Sequence, residues 1–89
     1  MKYVVRYQVD PANLPKAMEL FDEHKARWSE YADAGTLLAI GPFSDPSQGA
    51  LGVFTTREAA EEFVAGDPFV THGVVTGWEV WEWNEVLLP

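Results

Sequence analysis

The chain contains no cysteine, which excludes disulfides, thiolate metal sites and a cysteine nucleophile together. Basic residues are few: Lys2, Arg6, Lys16, Lys25, Arg27 and Arg57 stand against fourteen acids, for a formal charge of −8. Phosphate contacts need clustered Lys and Arg, so the composition argues against nucleic acid and against an anionic membrane surface as partners. Acidity does not identify a substrate; it keeps a small protein soluble. Long apolar runs are also missing, and none approaches the ~20 residues of a membrane span. Met1-Lys2-Tyr3-Val4-Val5-Arg6 runs straight into a strand pattern without the apolar region of a signal peptide. A soluble, cytoplasmic protein is expected. With only His24 and His72, far apart, there is no metal-ligand spacing. Gly49-x-x-Gly52 lies inside a strand pattern with no helix start directly behind it, so it is not a phosphate loop. Nothing in the chain calls for a metal or a cofactor.

What is present is aromatic. Five Phe, three Tyr and four Trp are many for 89 residues. They either fill a dense core or cover a face that a single copy would expose. The length allows one domain over residues 1–89 and no second core.

Tyr3 to Val9 is β-branched and aromatic and reads as a first strand, with Tyr3, Val5, Tyr7 and Val9 on one face. Arg6, on the other face, is either a solvated edge charge or an anion contact. Asp10-Pro11-Ala12-Asn13 is a turn, and Asn13 can cap the helix that follows, with Pro15 in its first turn. One long helix is expected from about Leu14 to Ala34, stopped by Gly35. Leu14, Ala17, Phe21, His24, Trp28 and Tyr31 recur at spacings of three and four and form one buried stripe.

Gly35 to Pro42 is a strand so apolar on both parities that it should be buried on both faces. Phe43 to Gly49 is a polar loop, and Ala50 to Thr55 the third strand. Thr55-Thr56-Arg57-Glu58 matches a capping box with Thr55 at the cap, opening a helix over Arg57–Ala65 with Ala59, Ala60, Phe63 and Val64 inward. A loose turn through Thr71-His72-Gly73 leads into a last strand, Val74–Trp83. There Trp78 and Val80 share one face, and Trp81 and Trp83 the other. Either a bulge near Val80 resets the register, or both faces are covered.

The order β-α-β-β-α-β predicts an α+β, ferredoxin-like fold: a four-stranded antiparallel sheet with two helices on one face. The second face carries Trp and Leu and exceeds the apolar patch a monomer usually shows. A homodimer by sheet-to-sheet packing, a dimeric α/β barrel, is therefore expected.

One stretch stands out chemically. In Gly66-Asp67-Pro68-Phe69-Val70 the proline holds Asp67 out of the α region. Gly66 can take the left-handed geometry that ends a helix. Asp67 is then a fixed carboxylate at a helix exit. His24, between Phe21 and Trp28 on the apolar stripe, is its candidate partner. A carboxylate on one ring nitrogen fixes the tautomer and frees the other nitrogen for proton transfer. A core histidine bonded to a backbone carbonyl is the plainer reading. Contact within ~3.2 Å beside a cavity separates the two.

These elements resemble the YciI-like (YCII-related) family. The likeness rests on His24 in the first helix, Leu38-Ala39-Ile40-Gly41-Pro42, Thr56-Arg57-Glu58-Ala59-Ala60, Gly66-Asp67-Pro68-Phe69 and the Gly73-Val74 step. It implies a dimeric ferredoxin-like α/β barrel with His24 and Asp67 as a catalytic pair at a pocket lined by the Gly41-Pro42 strand end. It implies dehalogenase, lyase or isomerase chemistry without a cofactor on a small organic acid or lactone. The short Gly41-Pro42 loop and His72 depart from common members. Ser44 and Phe69 complete the expected ligand contacts; Ser44 also fits as a simple turn residue, and His72 as an exposed loop histidine. The competing class is a non-catalytic ligand-binding or structural homodimer.

Overall fold

A computed structural model describes residues 1–88. Its strands are β1 (Lys2–Val9), β2 (Leu37–Pro42), β3 (Ala50–Phe54) and β4 (Val75–Trp83). Its helices are α1 (Leu14–Glu19), α2 (Phe21–Asp33), α3 (Arg57–Gly66) and α4 (Pro68–Thr71). The sheet order is β2-β3-β1-β4, with every neighbouring pair antiparallel. This is the ferredoxin-like arrangement expected from the element order.

Residues paired directly across antiparallel strands share a face. Tyr7 opposite Trp78, Val5 opposite Val80 and Tyr3 opposite Phe54 therefore point one way. That face packs on the helices through a core of Val5, Tyr7, Leu37, Phe54, Ala60, Phe63, Val64 and Val75. Val4, Arg6, Val53, Glu79, Trp81 and Trp83 take the opposite face, on which no described helix packs. The alternation of β4 runs unbroken past Val80. The register shift lies instead at Thr76, opposite Gln8/Val9.

Other expectations are corrected. The first helix is two helices. At Leu20 (φ −97°, ψ 1°) the amide reaches both Lys16 and Ala17 carbonyls, a tightened turn after which α2 restarts. The stripe from Leu14 to Tyr31 is not uniformly buried: His24 is, while Leu14 and Phe21 stay exposed because they wall a cavity. Asn13 does not cap α1; its amide nitrogen reaches the Gly73 and Val74 carbonyls and ties α1 to the entry of β4. The cap of α3 is Thr56, one residue later than expected, accepting from Ala59 N–H at 3.1 Å. β2 is an edge strand whose register slips at Leu38. Leu37 is buried and Leu38 exposed, so the chain alone does not cover both faces.

Gly66 is not left-handed; it is the last residue of α3. The chain leaves the helix through the extended Asp67, and the Arg27 side chain packs against this end. It donates to Phe63 O at 3.1 Å and Glu62 O at 2.8 Å, satisfying carbonyls that a helix end otherwise leaves open. A Cβ on Gly66 would lie 2.5 Å from Arg27 Nη2. Glycine serves close approach here, not handedness. Gly49 does need its φ of +81°, and any side chain there would collide with the Tyr7 carbonyl.

Candidate active site

Asp67 joins α3 to α4. Its backbone is extended, at φ −67° and ψ 125°, as Pro68 demands. It is 0% exposed, yet three groups converge on its carboxylate. His24 Nδ1 lies 2.7 Å from Oδ1. Tyr7 Oη donates to Oδ2 at 2.7 Å. The Phe69 amide donates to Oδ1 at 3.2 Å, the capping bond of α4. A buried carboxylate is costly unless its lone pairs are met, and this one is met from β1, α2 and α4 at once. Among the described residues His24 is its one basic partner.

The same contacts position the histidine. Its ring stacks on Phe69 with centroids 3.9 Å apart and planes 9° from parallel. Phe63 meets it edge-on at 6.3 Å. With Tyr7 and Phe69 both donating, Nδ1 is the third donor to the carboxylate. Nδ1 therefore carries a proton, and Nε2 is the ring nitrogen that the carboxylate does not engage. Among the described residues, no group hydrogen-bonds to Nε2.

Burial first, and then the Asp67 carboxylate, push the Tyr7 phenol far above its ordinary value of 10.0, so it stays a donor. Tyr7 is the member of this cluster that the sequence reading missed. The available signal was its place on the inward face of β1, where a buried hydroxyl requires a partner.

Between the sheet and α1/α2 lies a cavity of about 590 Å³, a size suited to a small organic molecule. His24 and Tyr7 reach its wall, together with Val5, Ile40, Phe54 and Phe21. Of the expected contact residues, Gly41, Pro42 and Phe69 line it. Ser44 is exposed in the β2–β3 loop and does not. His72 is exposed at the end of α4, outside the cavity wall. Arg6 points to the opposite sheet face. No group of three or more metal-binding side chains occurs among the described residues. No described helix is long and apolar enough to cross a membrane.

A ferredoxin-like sheet with a buried acid–histidine pair beside an apolar cavity defines a small α+β protein with a pocket between its layers. More specifically, the chain belongs to the YCII-related domain family, whose model matches residues 1–84. Among solved structures it is similar to the 5-chloro-2-hydroxyhydroquinone dehydrochlorinase TftG from Burkholderia phenoliruptrix AC1100, in complex with 2,5-dihydroxybenzoquinone. The identity is 18%, the TM-score 0.77, and 94% of each chain is covered. It is also similar to a mutant of MhuD with two manganese protoporphyrin IX bound per active site. There the identity is 16% and the TM-score 0.55, over 99% of this chain and 96% of that one. At these identities the likeness concerns the fold. No curated protein matches the chain.

Proposed function

We propose that the protein is a small enzyme in which His24 is the general acid–base and Asp67 its orienting partner. The observation that carries this is the 2.7 Å contact between His24 Nδ1 and Asp67 Oδ1, beside a cavity of about 590 Å³. Nε2 takes a proton from a bound small organic acid or lactone, and the imidazolium that forms faces the Asp67 carboxylate. In isomerisation the electron pair left on the substrate migrates and Nε2 returns the proton at the new position; in elimination the pair expels a leaving group, and Nε2 passes the proton to that group or to water. Gly41, Pro42 and Phe69 supply wall contacts. That a structural neighbour is a dehydrochlorinase supports small-molecule chemistry of this kind.

The working unit we propose is a homodimer formed by packing the open sheet faces together. Trp81 and Trp83 on that face are 54% and 40% exposed, an apolar pair that a partner's sheet would bury. The test of the activity is turnover of a panel of small lactones, phenols and halogenated acids by the native protein and by His24→Ala. The variant should keep the fold and assembly and lose turnover. Turnover that survives in His24→Ala removes the histidine from the chemistry, and lost affinity without any product in the native protein makes this a binding module.

A further inference from the structure

Asp67 has two carboxylate oxygens, and the fold divides them between two side chains. Oδ1 faces His24 Nδ1 at 2.7 Å and also accepts from the Phe69 amide at 3.2 Å. Oδ2 accepts from the Tyr7 hydroxyl at 2.7 Å, a donor brought in on β1. Resonance makes the two oxygens one acceptor. A donor on either oxygen draws negative charge toward itself and leaves less on the other. Donors that share a carboxylate therefore weaken one another's bonds.

The kind of donor on Oδ2 then matters for His24. A cation there would cancel much of the carboxylate's pull on the imidazole. An apolar neighbour would leave the full pull in place and strand a buried oxygen. A phenol lies between the two. Burial first, and then the carboxylate, hold that phenol protonated far above its ordinary 10.0, so at neutral pH it donates. No other side chain offsets the charge. Among the described residues His24 alone forms an ion pair with Asp67. Arg27, on the same helix as His24, is engaged by the Phe63 and Glu62 carbonyls.

We propose that Tyr7 is a positioning residue of the site: through Asp67 Oδ2 it sets the strength of the His24–Asp67 bond, and with it how readily His24 both accepts and returns a proton. The control of the bond stands on the geometry alone, and its consequence for proton transfer rests on the acid–base reading above. An imidazole facing an unopposed carboxylate holds a proton more firmly and gives it back less readily. Tyr7 relieves that hold.

The Nδ1–H signal of His24 in proton NMR reads the bond directly, moving downfield as the bond strengthens. Spectra of the intact protein and its variants are compared on the same plateau, where the His24 signals no longer move with pH. Tyr7→Phe removes the donor on Oδ2 and should shift the signal downfield. Tyr7 replaced by 3-fluorotyrosine, a more acidic phenol and a stronger donor, should shift it upfield. That variant keeps the hydroxyl, and Tyr7 lines the cavity, which leaves space for the fluorine. The same replacement at Tyr31, whose hydroxyl donates to Glu62, should leave the signal where it is. An identical signal in the native protein and Tyr7→Phe overturns the proposal, as does a downfield shift from the fluorotyrosine at position 7. A shift of equal size from position 31 overturns it too, because the effect would not pass through Asp67. So does an Nδ1–H signal lost to exchange with water, since a buried 2.7 Å bond should protect its proton. The expected order of signals in a protein that converts no substrate supports the control of the bond and overturns only the acid–base reading.

Discussion

Tyr7 and Asp67, sixty positions apart, meet at 2.7 Å with the tyrosine donating to the oxygen that His24 does not use. The carboxylate is thereby held from both sides, one oxygen on β1 and the other on α2. Tyr7→Phe keeps the ring and removes this donor. It should cost about 1–3 kcal/mol of stability, because a buried acceptor loses a partner. Urea unfolding of the two proteins measures it, and a loss below about 0.5 kcal/mol would mean the bond is dispensable.

The raised Tyr7 phenol also predicts an alkaline limit. Its folded-state value lies above the ordinary 10.0 of the unfolded chain. The folded state therefore keeps a proton that the unfolded state releases. The resulting stability is complete below pH 10 and declines as the pH climbs beyond it. Thermal melts across the alkaline range should show this decline in the native protein and a shallower one in Tyr7→Phe.

Asp67→Asn should reverse the histidine. An amide facing Tyr7 and Nδ1 puts a donor where an acceptor stood, and Nδ1 is then better served by carrying the lone pair. The Nε2–H tautomer should dominate, visible in the ring nitrogen shifts of His24 by NMR. Nε2 would become a donor and turnover should fall steeply. Mismatched partners in a buried hydrogen-bond network should also cost about 1–3 kcal/mol. An unchanged tautomer would show that Asp67 does not set it.

Arg27 and Gly66 should be coupled. A methyl group on Gly66 would lie 2.5 Å from Arg27 Nη2 and displace the guanidinium from Glu62 O and Phe63 O. Gly66→Ala alone is expected to destabilise by about 1–2 kcal/mol despite its better helix propensity. In an Arg27→Ala background the same change should be neutral or stabilising. A double-mutant cycle by urea denaturation reads the difference directly, and additive effects would contradict the packing described.

Sedimentation equilibrium tests the assembly. A dimer at micromolar concentration is expected, and Trp81→Glu should shift it to monomer by placing a charge on the open sheet face. A native protein that sediments as a monomer would leave that face without the proposed cover.

Much of the fold was legible because it is written locally. Alternating β-branched and aromatic residues mark β1, and Gly-Pro and Asp-Pro breaks bound β2 and α3. The extended backbone of Asp67 follows from the single residue after it. The misread features depend on contacts between distant segments. The exposure of Leu14 and Phe21 reflects a cavity that no helical periodicity encodes. The need for a glycine at position 66 comes from Arg27, which reaches across from another helix. β2 looked buried on both faces because apolar content does not say whether a neighbour is present; it lies at the sheet edge.

The sequence by itself determined the element order, the absence of thiol chemistry, and an aspartate that cannot be helical. Hydrophobic period and proline sterics act over a few residues, so they can be read without a fold. Only the tertiary structure decided what the aspartate meets. His24 is forty-three positions from it and Tyr7 sixty. The bonds among them exist because sheet order and helix packing bring β1, α2 and α4 to one point, where a buried carboxylate must find its donors.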